Sequence, residues 1–217
     1  IPFEIPIEKV STFSNGKIHK ITELLWSSLI LTASAFNKKF TDCKILNAFD
    51  LRQIMKNIGW QHVNHNTNFM VEARGISENS KICDMKNKFR LDFENKCKNG
   101  VVLKAVKDFI NGSIEMIDYT SLHLSNIGTL STGGDVKDAY IGLSTHTIVP
   151  PPGFVVLFAD CIDNNLLRGR LLVTPSVMDK YDSIKFADAI KYCITSVHDD
   201  TKINDAVHRI ISEFRFF

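Results

Sequence analysis

Apolar residues recur through "NGKIHKITELLWSSLILTASAF" at Ile18, Ile21, Leu24, Leu25, Leu29 and Ala33, three or four apart, which is the spacing of one helix face. Asn15-Gly16 marks the expected start of this helix and Asn37-Lys38-Lys39 its end. The period then shortens. "DCKILNAFDLRQ" has a compact apolar centre, Ile45, Leu46, Ala48 and Phe49, with a charged exit, which suits a buried strand. In "IGWQHVNHNTNFMVEARGIS" a loop rich in His and Asn leads into a second strand over residues 68–73. From Lys81 to Asn111 the helical period returns, with Phe89, Phe93 and Cys97 and then Val102, Val106, Phe109 and Ile110 on single faces, and Asn99-Gly100 divides the stretch into two helices.

The chain next reads as strand: "MIDYTSLHLSNIG", "AYIGLSTHTIV", "GFVVLFADCID" and "LRGRLLVTPS". Turn signals separate them at Pro150-Pro151-Pro152-Gly153 and Asp163-Asn164-Asn165, so Phe154 to Leu172 is expected to be an antiparallel hairpin. The last third is helical again, with Phe186, Ile190, Cys193 and Ile194 on one side and a second short helix from Asn204. Asp182 or Ser183 is the expected cap of the first, since a side-chain oxygen there accepts the free amide hydrogens of the opening turn. The order helix, strands, helices, strands, helices implies an α+β sandwich, a mixed and largely antiparallel sheet covered by helices.

Composition fits this picture. The chain has 217 residues, 44% hydrophobic and 23% charged, enough for a real core. A formal charge of +2 gives no electrostatic footprint for nucleic acid or an anionic membrane. The five cysteines, Cys43, Cys83, Cys97, Cys161 and Cys193, are scattered and lack the close Cys/His pairs of a zinc site, so reduced thiols and no metal are expected. The apolar run from Leu24 to Phe36 is interrupted by Ser27, Ser28, Thr32 and Ser34 and is too short and polar to span a bilayer. The opening, "IPFEIPIEKV", alternates Pro2 and Pro6 with apolar residues, which favours extended backbone. Residues 1–16 are expected to be an extended connecting segment, 17–217 a single lobe, and the whole a fragment or processed piece with an intracellular setting, cytoplasmic or on the cytoplasmic face of a membrane.

Candidate chemistry is sparse. There is no GxxxxGK[ST] phosphate loop, and Gly133-Gly134 precede Asp135 rather than a lysine. His62 and His65 in "WQHVNHN" have no further ligands beside them and read as a polar loop. His146, near Ser144 and Thr145, suggests a hydrolase pair, but no GxSxG elbow accompanies it. His198, in "VHDD", suits a contact with the helix end or its acidic neighbours. The most informative stretch is "SLHLSNIGTLSTGG", residues 121–134. There a strand alternating Leu122 and Leu124 breaks into small polar residues at Ser125-Asn126 and Gly128.

Taken in order, "ITELLWSSLILTASAF", "KILNAFDLRQIMKN" and "LHLSNIGTL" make the chain resemble the carboxyl-terminal half of acyltransferases with the chloramphenicol acetyltransferase-like fold. It is most similar in flavour to fungal alcohol acetyltransferases and to relatives that acetylate sphingoid-type amines. The resemblance runs from about Lys17 to Val197. It implies a two-lobed enzyme whose inter-lobe tunnel brings acetyl-CoA or another acyl-CoA and an alcohol or amine acceptor to a histidine. That histidine belongs to an HxxxD motif in an amino-terminal lobe, and none of the seven histidines here has Asp four residues on. The partner implied is therefore the amino-terminal lobe of the same protein, with no catalytic residue in this chain.

On this reading Ser125, Asn126, Gly128 and Thr129 form part of the tunnel wall: hydroxyls of Ser125 or Thr129 and the amide of Asn126 as donors, Gly128 for close backbone approach. Alternatively, the segment is simply a turn that closes a strand. Arg52 of "DLR" would hold a structural contact. Lys38, Lys39, Arg168 and Arg170 are candidates for the coenzyme A phosphates, or else a solvated face. The competing expectation for the whole chain is a non-catalytic lobe of the same fold that docks a protein through a sheet edge.

Overall fold

The computed structural model describes residues 1–51, 66–110, 122–130, 154–163 and 165–216. Six strands form one mixed sheet: β1 (Pro2–Pro6), β4 (Lys44–Asp50), β5 (Asn66–Glu72), β6 (Leu122–Leu130), β7 (Val155–Ile162) and β8 (Leu166–Val173), in the order β1-β8-β7-β6-β4-β5. The pairs β4/β6 and β6/β7 are parallel and the other three antiparallel. β7 and β8 are the expected hairpin. One face of the sheet carries the helices α1 (Ile21–Phe36), α2 (Ile82–Lys98), α3 (Val101–Ile110), α4 (Lys180–Ser196) and α5 (Ile203–Phe214), which makes the fold α+β as the sequence implies. His62, His65, Arg52, His146, the Gly133-Gly134 pair, the proline turn and the strand expected at "AYIGLSTHTIV" lie outside the described residues.

Helix α1 sits at the centre of the helical layer, packed against α2, α4, α5 and β6. It is buried from Glu23 to Ala35, so the single apolar face read from the sequence is too narrow. The reason is chemical: its small polar residues satisfy themselves inside the layer and need no water. Ser27 and Ser28 donate to the Leu24 carbonyl at 2.9 and 2.8 Å, and Thr32 Oγ1 lies 3.7 Å from Cys193 Sγ. Trp26, fully buried, donates its ring N–H to Asn47 Oδ1 at 3.0 Å and packs on Phe89 and Phe93. Burying each such ring contributes about 2–3 kcal/mol.

Two expected boundaries move. Asn15-Gly16 does not start α1; both residues have positive φ (50° and 74°) and turn a small hairpin between β2 (Phe13–Ser14) and β3 (Lys17–Ile18), the use for which Asn-Gly is suited. The cap of α4 is Asp179, whose carboxylate accepts the Asp182 amide hydrogen at 2.8 Å, rather than Asp182 or Ser183. Asp179 has extended backbone just outside the helix, where a capping side chain reaches the open amides.

Both edges of the sheet are closed by side-chain chemistry. Ile1 and Leu171 exchange backbone hydrogen bonds at 2.7 and 2.8 Å, and the Ile7 amide donates to the Asn165 carbonyl, so the odd residues of β1 turn their amides toward β8. The outward positions are Pro2, Glu4 and Pro6. Two of these three have no N–H to offer and the third carries a charge, which blocks a further strand. On the inner side Phe3 lies flat over Gly169, where a Cβ would collide with the ring. At the far edge Asp92 of α2 accepts the outward Glu72 amide hydrogen at 2.8 Å and Lys96 donates to the Met70 carbonyl at 2.9 Å. Asp92 and Lys96 pair with each other at 2.8 Å, standing in for the missing strand. Of the expected extended segment 1–16, Pro2–Pro6 are extended as β1 and Ile7–Lys9 form a 3-10 turn, with Phe3, Ile5 and Val10 in the core of the lobe.

Candidate functional site

The three parallel strands β4, β6 and β7 run toward the same end of the sheet, and β6, between the other two, is the polar one. Its partner in register changes abruptly: Asn126 lies opposite Ala159 and Gly128 opposite Asp160, leaving Ile127 as the extra residue of a β-bulge. Gly128 has φ +85°, a conformation costly for residues with a Cβ, and nothing stands within 4 Å of where a side chain would begin. Bulges of this kind bend a strand and re-aim its side chains.

Asn126 fixes the bulge. Its Oδ1 accepts the Gly128 amide hydrogen at 3.1 Å, and its Nδ2 donates to Thr22 Oγ1, in the first turn of α1, at 2.9 Å. A backbone N–H only donates, so the amide oxygen must face Gly128 and the NH2 must face Thr22. Thr22 is a residue of the site that sequence reasoning missed. It lies 104 positions away from Asn126, and no local pattern links them.

The pleat divides the four sequence candidates. Asn126 and Thr129, paired with Ala159 and Cys161, share the helix-covered side. Ser125 and Gly128, paired with Phe158 and Asp160, share the other. Ser125 and Asn126 are half-buried, Gly128 and Thr129 exposed. The segment is therefore a bulged strand rather than a simple closing turn, and its hydroxyls do not converge on one point.

Next to Gly128, on the side away from the helices, lies a buried charge cluster. Asp160 is 1% exposed and Arg168 7%. Arg168 grips both carboxylate oxygens at 2.8 and 2.9 Å, and Arg170 approaches at 3.7 Å. Arg168 is thus built into the sheet as the partner of Asp160, not presented on a surface. Lys38 and Lys39 are exposed at the other end of α1, about 24 Å along the helix from its start. They flank a cleft of about 180 Å³ with Phe40, Glu78 and His208. The four cations considered for coenzyme A phosphates are not brought together.

Beside Thr22, Glu23 turns toward α2, where its Oε1 accepts from Arg90 Nε at 2.7 Å, and its buried Oε2 has no partner among the described residues. The Arg90 guanidinium rests over Trp26 and Phe93. Burial pushes the thiols of Cys43 and Cys193 up to about 12, so neither is a thiolate at neutral pH. Among the described residues no group of His, Cys, Asp and Glu side chains is arranged to hold a metal ion. Among them, too, no helix is long and apolar enough to cross a membrane.

This architecture has solved counterparts. It matches the epimerisation domain from the third module of tyrocidine synthetase B (TM-score 0.53, 10% identity, 98% of this chain and 48% of that one). It also matches the first condensation domain of the CDA synthetase (0.56, 8%, 94% and 47%). A third is polyketide synthase associated protein 5 from Mycobacterium tuberculosis (0.57, 12%, 91% and 52%). The chain has the condensation-domain fold, which is chloramphenicol acetyltransferase-like, and it spans about half the length of the solved structures it matches. At these identities the likeness is one of fold. No protein-family model matches the chain, and no curated protein matches it.

Proposed function

We propose that this chain is the carboxyl-terminal lobe of a coenzyme A-dependent O- or N-acyltransferase, in which the β6 bulge forms part of the tunnel wall and acceptor pocket. The observation that carries the reading is the Asn126 bulge. It is a polar, open distortion of the middle parallel strand, braced against α1, in a fold whose solved counterparts are about twice as long. The acceptor class, an alcohol or a sphingoid-type amine, follows the alcohol acetyltransferase resemblance of the sequence. The neighbouring condensation and epimerisation domains agree in architecture and are silent on acetyl-CoA.

In the proposed reaction a base from the amino-terminal lobe takes the proton of the acceptor hydroxyl or amine as that atom bonds to the thioester carbonyl carbon. The carbonyl π pair moves to oxygen, then returns as the carbon–sulfur bond breaks, and the departing sulfur takes the proton held by the base, so that coenzyme A leaves as the thiol. Donors already aimed at the carbonyl oxygen lower the barrier, each by roughly 3–4 kcal/mol in a dry site. Asn126 and Thr129 supply the polar wall on the helix-covered face, while Gly128, beside Ser125 on the other face, leaves the backbone open to close approach.

The competing reading, a scaffold that docks a partner through a sheet edge, is disfavoured by the edges themselves. Prolines occupy one and the Asp92–Lys96 pair the other. The deciding experiment gives the full-length polypeptide acetyl-CoA with fatty alcohols and sphingoid bases, following free thiol and acylated product by mass spectrometry. Product is expected, with a loss of about 100-fold in Asn126→Ala. Absence of product with every acceptor and acyl chain length would sink the reading.

A further inference from the structure

We infer that Thr22, at the start of α1, is the hydroxyl that the bulge holds for the carbonyl oxygen of the acyl thioester; this rests on the acyltransferase reading above. The inference follows from hydrogen bookkeeping around Asn126. Because the Gly128 amide fixes the orientation of the Asn126 side chain, Thr22 Oγ1 receives a hydrogen rather than giving one. The hydroxyl keeps its own hydrogen, and among the described residues nothing accepts it. A threonine inside a helix normally passes that hydrogen to a carbonyl one turn back. Thr22 is in the first turn, two residues after the left-handed N-cap Lys20 (φ 50°), and no side chain caps the helix. Thr22 is also only half-buried.

The arrangement is a relay with a free end. Donation from Asn126 polarises the Thr22 oxygen and strengthens the bond its own hydrogen makes, as in any hydrogen-bond chain. The Thr22 carbon frame is fixed by the helix, so the donor needs no reorganisation when charge develops on the carbonyl oxygen. Ser125 lies on the opposite face of the strand and does not join this relay. No proton is transferred to or from Thr22; it contributes a hydrogen bond that strengthens as the oxygen gains charge.

The test uses the full-length protein and steady-state acetyl transfer. Thr22→Val, equal in shape but without the hydroxyl, is expected to lower kcat by about 100-fold with KM for acetyl-CoA little changed, and Thr22→Ser to retain most of the rate. Asn126→Asp is expected to match Thr22→Val, because the new carboxylate still accepts from Gly128 and reclaims the Thr22 hydrogen. The double variant is expected to be no slower than either single one. Wild-type turnover in Thr22→Val, or multiplicative losses in the double variant, would overturn the relay while leaving the acyltransferase reading intact. If the wild-type protein transfers no acyl group, both fall together. If Thr22→Val unfolds below the assay temperature, Asn126→Asp decides: full activity there overturns the relay, and loss of kcat at constant KM supports it.

Discussion

Strands β6 and β7 are parallel neighbours in register, yet they differ in almost every other respect. β7 is buried from Val155 to Asp160 on both faces, as a parallel strand in the middle of a sheet should be. β6 begins the same way with Leu122 and Leu124, then becomes half-exposed, polar and bulged. The difference lies in what satisfies the polar atoms. Asp160 is closed by Arg168 inside the sheet, whereas Asn126 reaches outside it, to a helix. One strand anchors the fold, and the other has traded regularity for a bulge that Asn126 ties to α1.

Substitutions should separate the two roles. The largest stability loss is expected from Asp160→Ala, which removes the buried carboxylate that Arg168 grips with two hydrogen bonds and should cost about 4 kcal/mol in urea unfolding. Leu157→Ala, at a fully buried β7 position, should cost about 3 kcal/mol by the same measurement. Gly128→Ala forces a Cβ into left-handed backbone and should cost about 1–2 kcal/mol, with Gly128→Asn milder. Ser125→Ala should change stability by less than about 0.5 kcal/mol. A β6 substitution as damaging to stability as Asp160→Ala would erase the contrast.

A weaker effect should appear at the sheet edge. Glu72 has its carboxyl held below the usual range by the hydrogen bond from Arg74, with Lys44 adding to it against a smaller opposing effect of burial. A carboxyl lowered in the folded state stabilises the protein above its unfolded value and loses that contribution as pH falls through its folded value. Arg74→Ala should therefore lower stability slightly at neutral pH and shallow its decline on acidification, read from thermal midpoints between pH 7 and 3. An unchanged acid profile would show that the exposed Arg74 does not hold this pair in solution.

Much of the fold was readable because periodicity and turn chemistry agree. Asn99-Gly100 separates α2 from α3 as expected, and the β7/β8 hairpin follows its turn signal. Asn15-Gly16 reads as a helix start because an amphipathic run follows it; the two short strands it joins carry too few residues to show a period. The prolines of β1 indicated extended backbone, but not that their missing amides would all point out of the sheet. That depends on register with β8, a partner more than 150 residues away. For the candidate site, the break at Ser125-Asn126-Gly128 was visible as polarity within a strand. The bulge, the division of faces and Thr22 were not, since each depends on tertiary pairing.

The burial of α1 on all sides has a consequence for how the protein is made. Its cover is completed by α4 and α5, which begin at Lys180 and Ile203, whereas α1 itself ends at Phe36. At a synthesis rate of roughly 5–20 residues per second, α1 emerges from the ribosome on the order of ten seconds before the helices that shield it. During that interval Leu24, Trp26, Leu29, Ile30 and Leu31 have no native partners on two sides of the helix. The nascent chain should therefore engage chaperones at this segment, and polypeptides stopped between Val173 and Lys180 should aggregate even though all six strands of the sheet are already present in them.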